Sequence, residues 1–197
     1  MNINKFTQKS LEAVQSAEKI AYDYGNPEIR SEHLLSALVN DPEGLIPKLL
    51  SKMQIVLPVF GAQVKGLIER LPKVQGGDTR VSQGLNKILI YAEDEAKGMG
   101  DSYVSVEHLF LALLKYAERD TAALLSEFRI TREDFLKVLA TVRGNQQVNT
   151  DNPEATYDTL EKYGYDLVER ARKQKLDPVI GRDSEIRNVI RILSRKT

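Results

Sequence analysis

An all-α fold, built as a pseudo-twofold pair of four-helix units and continued by a linker and a helical tail, is what this sequence predicts. Three observations predict it. Apolar residues recur at three- and four-residue steps along most of the first 143 positions, the spacing of one helix face. The chain matches itself without a gap at an offset of 75 residues, as an internal duplication does. Strand-like alternation is absent.

The duplication is read residue by residue. "RSEHLLSALV" at 30–39 returns as "SVEHLFLALL" at 105–114, Gly25 falls on Gly100, Leu49-Leu50-Ser51 on Leu124-Leu125-Ser126, and Phe60 on Phe135. Units 1–70 and 76–143 follow, joined by the turn-rich "KVQGGDTR". In each unit a long first helix carries one buried stripe: Phe6, Val14, Ala17, Ala21 and Tyr24, then Val81, Leu85, Ile88, Ala92 and Met99. Gly25 and Gly100 are placed to end these helices in the left-handed conformation. A second helix is expected to start at Ser31 or Ser105 as a capping serine. Two shorter helices complete each unit, near 43–52 and 57–70, then 119–127 and 131–143.

Composition limits the function. The 28 basic residues balance the 28 acidic ones and there is no cysteine, so no chain-wide footprint for nucleic acid or an anionic membrane exists, and thiolate chemistry is absent. With no targeting segment read at Met1 and no run of about 18 apolar residues, a cytoplasmic protein is expected. The two histidines, His33 and His108, both follow a glutamate in the first turn of a helix. Paired metal ligands or bases are one reading, helix-start hydrogen bonding the other. No HExxH and no third ligand accompany them, and no nucleophile with an orienting partner is identifiable, so the second is preferred. No metal site and no catalytic residue are assigned.

After Arg143-Gly144, "GNQQVNTDNPEAT" is nearly devoid of apolar residues and reads as a flexible linker over 144–158. From 159 a helical pattern resumes, with ten basic and six acidic residues between Glu161 and Lys196 and too few apolar ones to close a core. This tail is expected to be the start of a larger domain.

"LEKYGYDLVERARKQKLDPVIGRDSEIRNVIRILSRKT" resembles the opening of the first AAA+ ATPase domain of the Clp chaperone family, and "LEKYG" followed by "DL" points to its ClpB-type disaggregases. The doubled unit with "EHLL" and "EHLF" is similar to the Clp amino-terminal domain, so the resemblance spans essentially the whole chain. It implies an intact protein that is a homohexameric ATPase, uses ATP and magnesium, threads aggregated polypeptides through a central pore in the stress response, and works with DnaK-type chaperones. It also implies a client-binding groove at Thr7, Leu89, Tyr91, Asp101 and Glu107. Asp177, Val179, Ile180 and Gly181 would lie on the adenine side of the nucleotide pocket. An adaptor-docking module, as in Clp unfoldases that feed a protease, is the alternative.

The phosphate-binding loop GxxxxGK followed by Ser or Thr does not occur; Gly61 to Gly66 runs into Leu67-Ile68. This chain by itself is therefore expected to be no enzyme, to hold no cofactor and to be monomeric. The duplication adds one pointer of its own. Leu85, Ile88, Ile90 and Tyr91 stand where the first unit has Ser10, Ala13, Gln15 and Ser16. At about 100° per residue Ile90 faces away from the buried stripe and Tyr91 lies on its flank, so Ile90 joins the candidate groove.

Overall fold

The computed structural model describes residues 3–74, 79–144, 147–151, 153, 171–172 and 181–194. The chain divides into two compact units, Met1–Asp158 and Thr159–Thr197. Among the described residues of the first, eight α-helices run α1 (Gln8–Asp23), α2 (Ser31–Val39), α3 (Leu45–Lys52), α4 (Leu57–Glu69), α5 (Gln83–Gly98), α6 (Val106–Tyr116), α7 (Arg119–Glu127) and α8 (Arg132–Arg143). Two two-residue strands, β1 (Glu28–Ile29) and β2 (Arg80–Val81), pair in parallel.

The offset of the sequence repeat reappears in the backbone. Thr7 and Ser82 cap α1 and α5, each accepting a hydrogen bond from the amide three residues on, Ser10 and Leu85. Gly25 and Gly100 follow the two helix ends at φ +69° and +74°, where a Cβ is disfavoured. Gln54 and Arg129, also 75 apart, take φ 64° and 54° just past α3 and α7.

The core lies within the first unit, between the two sequence repeats. Every residue of α2 is buried, as is α6 from Val106 to Leu113, which is why these two segments read as apolar on nearly all sides. The Phe110 ring on α6 lies 4.6 Å from that of Phe135 on α8, and the Phe60 ring on α4 meets Phe128 edge-on at 4.9 Å. No single described helix is long and apolar enough to cross a membrane.

Three details correct the sequence reading. Phe6 and Val81 are not in the first helices: Phe6 bridges Val104 and Val81 pairs with Ile29, so short parallel pairing exists where none was expected. The cap of α2 is Arg30, with Ser31 as the first helical residue, whereas Ser105 does cap α6; the repeat itself aligns Arg30 with Ser105. The expected flexible linker is in part docked, because Val148 is fully buried and Gln147–Asp151 hydrogen-bonds to the domain.

In the second unit α9 (Asp183–Leu193) has exposed residues throughout. Its apolar residues, Ile186, Val189, Ile190 and Leu193, recur at helical spacing, the pattern of a helix awaiting a partner surface.

Candidate functional site

Each Glu-His pair forms a corner where a first helix hands over to a second. His33 Nδ1 accepts from the Arg30 amide at 2.9 Å and His108 Nδ1 from the Ser105 amide at 3.0 Å. With Nδ1 accepting, the proton resides on Nε2, which donates to Asn26 Oδ1 and Asp101 Oδ2, both at 3.0 Å. The imidazole thus stands in for the glutamate of a capping box and ties the new helix to the end of the old one. That is a structural task, and it explains why both histidines sit in one copied context.

The environments of the two corners differ. In the first, Glu118, at the start of α7, accepts from the Ser31 amide and the Ser82 hydroxyl, both at 3.0 Å. Its carboxylate reaches the first turn of α5 because residue 84 is glycine; a Cβ there would collide with it. Burial pushes the His33 pKa down to about 4, with the Arg30 charge adding to the shift and Glu118 opposing it. Burial likewise pushes Glu32 up, assisted by Glu118 and opposed by its own amide, Arg30 and Ser31.

The His33 shift gives a pH prediction. The unfolded ring takes a proton near pH 6.5 and the folded one only near 4, so this group's stabilising contribution is complete above 6.5 and is lost as pH falls toward 4. Between pH 7.5 and 5 the parent is expected to lose roughly 2 kcal/mol more than His33→Gln, which keeps Glu32 as a common background. Urea unfolding at the two pH values reads this difference, and equal losses would refute the neutral buried ring.

In the second corner Arg143, from the last turn of α8, takes the place of Glu118. Its guanidinium donates to Asp101 Oδ1 and lies 3.8 Å from Glu107 Oε1. Burial pushes the Asp101 carboxyl up, but hydrogen bonds from His108, Arg143 and the Val148 amide, with the Arg143 charge, outweigh it and hold it at about 2. Neither oxygen of the buried Glu107 carboxylate accepts a hydrogen bond from the described residues.

The predicted groove residues therefore separate. Of the residues of the implied groove, Thr7, Leu89, Asp101 and Glu107 are buried: Thr7 caps α1, Leu89 belongs to the core, and the two carboxylates are held by the second corner. Ile90 is 47% exposed, and Gln15, its counterpart, is exposed too. Tyr91 is half-buried and stacks on Tyr116, ring centroids 3.9 Å apart, with Lys87 over both rings. Lys87 and Tyr116 had no signal in the repeat comparison. Asp177, Val179 and Ile180 lie outside the described residues; Gly181 is exposed, with φ +76°, two residues before α9.

Comparison with known proteins agrees with this architecture. Residues 5–128 match the family described as Clp repeat (R) N-terminal domain. The chain is 48% identical to the chaperone protein ClpB of Nitratidesulfovibrio vulgaris, covering all of this chain and 24% of that protein. It is 44% identical to the ClpB of Clostridium tetani, covering all of this chain and 23% of the relative. The chain thus spans about a quarter of the length of these relatives. Among solved structures, the Hsp104 N-terminal domain of Candida albicans superposes with a TM-score of 0.68 at 20% identity, covering 76% of this chain and 99% of that one. A ClpV N-domain in complex with a VipB peptide gives 0.59 at 22%, covering 75% and 92%. With its duplicated four-helix unit, its two Glu-His corners and these relatives, the chain belongs to the Clp chaperone family, on the ClpB side, as its amino-terminal region.

Proposed function

We propose that this chain is the client-receiving, regulatory amino-terminal part of an ATP-dependent disaggregase that resolubilises aggregated proteins in the cytoplasm. In the complete protein the region beyond this chain would supply ATP and magnesium binding, with Asp177, Val179, Ile180 and Gly181 toward the adenine, and the protein would act as a homohexamer alongside a DnaK-type system. The identity to ClpB over the whole chain supports the class.

The observation that carries client binding is the exposed Ile90 where the other copy presents Gln15. An exposed aliphatic residue beside a half-buried aromatic pair offers apolar area to an unfolded segment without demanding a particular sequence. Such binding is weak, roughly 10 to 100 μM, because a surface that accepts many sequences has no set of matched hydrogen bonds to rely on.

Ile90→Gln is expected to weaken binding of a permanently unfolded client about five- to tenfold while leaving thermal stability within about 0.5 kcal/mol of the parent. Tyr91→Ser is a poorer probe, since losing the stack on Tyr116 costs roughly 0.5 to 1.5 kcal/mol of its own. Unchanged client affinity in Ile90→Gln, measured by fluorescence anisotropy, would sink the assignment of this face. Adaptor docking, the second reading, predicts instead tight one-to-one capture of a folded partner and no affinity for unfolded clients.

A further inference from the structure

The segment after α8 is held in an unusual way for a linker. Val148 is fully buried, yet it is not part of the main apolar cluster. Its amide donates to Asp101 Oδ1 at 2.8 Å, and its carbonyl accepts from the amides of Ser102 at 3.0 Å and Tyr103 at 3.2 Å. Three residues on, the Asp151 carbonyl accepts from the amide of Gln8, the first residue of α1, at 2.9 Å. The Ser102 hydroxyl donates to Asn149 Oδ1 at 3.1 Å, and Pro153 is buried as well.

All four main-chain contacts use backbone groups of the segment, which every extended polypeptide carries. Sequence enters through one aliphatic side chain and, weakly, one amide. This is the recognition mode of strand-addition sites, in which the main chain supplies affinity and a socket supplies preference.

The other copy shows what a permanent arrangement looks like. There the start of α5 is served by the Glu118 carboxylate, a side chain fixed at the head of a core helix. The start of α1 is served instead by a main-chain carbonyl of a segment beyond the last helix of the repeat. The first corner is closed by a side chain of a core helix, the second by Arg143 of α8 together with a main-chain segment beyond that helix.

We propose that the strip formed by Asp101–Tyr103 and the first turn of α1 is a receptor for extended polypeptide bearing an aliphatic side chain, that Gln147–Asp151 is its resident occupant, and that an unfolded client binds there by displacing it. This rests on the client-binding reading and adds to the Ile90 face a second, self-occupied site for the same kind of extended segment. A tethered occupant competes at an effective concentration in the millimolar range. A receptor filled nine-tenths of the time by its own segment shows a client affinity reduced about tenfold. The junction to the following domain then reports occupancy, since a bound client frees the tether.

The test uses the 197-residue chain and two fluorescent probes, β-casein as an unfolded client and a peptide copying residues 145–156. Val148→Asp places a charge in the socket, and Val148→Ser is the milder companion should the first variant destabilise the fold. Both are expected to bind casein about tenfold more tightly than the parent and to capture the peptide, which the parent excludes. In the unmutated chain, casein is expected to move the Val148 methyl resonances toward random-coil positions. Equal or weaker casein binding by both variants, with Val148 resonances unmoved in the parent, overturns the displacement while leaving client binding intact. Absence of casein binding by every chain sinks the client reading and the displacement with it.

Discussion

Replacing Arg143 by methionine is expected to lower the unfolding free energy by about 3 to 5 kcal/mol, the cost of removing one partner from a buried charge network. The guanidinium stands between two carboxylates, those of Asp101 and Glu107, whose side chains are wholly inaccessible. Asp101 keeps His108 and the Val148 amide when the arginine is gone, but Glu107 keeps no hydrogen bond from the described residues. Lysine at 143 would restore charge without the two-pronged geometry and should recover only part of the loss.

The same variant alters the acid limb. With a folded pKa of about 2 against an ordinary 3.8, Asp101 contributes stability that is present above pH 4 and is lost as pH falls toward 2. That contribution is on the order of 2 kcal/mol in the parent and shrinks in Arg143→Met. Urea unfolding at pH 7 and pH 3 measures both effects; a loss under 1 kcal/mol at pH 7 would show the network to be dispensable.

Phe110→Ala is expected to cost a similar 3 to 5 kcal/mol for a different reason. The ring is fully buried and packs 4.6 Å from that of Phe135, so truncation opens a cavity between α6 and α8 that backbone relaxation fills only in part. For a domain of this size the melting temperature should fall by roughly 10 °C. Phe110→Leu should retain more than half of the lost stability. A melting point within 2 °C of the parent for the alanine variant would mean that the neighbouring side chains collapse into the space.

The contrast with Ile90→Gln shows why some features were legible in the sequence and others were not. Helix positions, the duplication and the left-handed glycines rest on local pattern. Gly25 and Gly100, Phe60 and Phe135, and the outward direction of Ile90 all follow from periodicity and offset. The two corners rest on contacts between positions far apart in the chain, Ser31 with Glu118 in the first and Asp101 with Arg143 and Val148 in the second. Nothing periodic marks such pairs. Thr7, Asp101 and Glu107 entered only through the family resemblance, and no local pattern showed that the fold buries them by giving each a capping or charge-pairing task. Val148 misled: one valine among polar residues is too little for a core but enough to fill one socket. The misplaced cap at Ser31 was avoidable, since the 75-residue register already set Arg30 opposite Ser105.

The short parallel pairings bind the halves more deeply than their length suggests. Phe6 of the first unit lies along Val104 of the second, and Arg80–Val81 of the second lies along Glu28–Ile29 of the first. Each half lends its leading residues to the other, as two partners in a swapped dimer do. Opening either half strips its neighbour of a hydrogen-bonded edge and of the amide anchors at Thr7 and Ser82, which reach Val104 and Ile29. The doubled sequence therefore behaves as one cooperative folding unit, a two-fold dimer made permanent by a peptide connection.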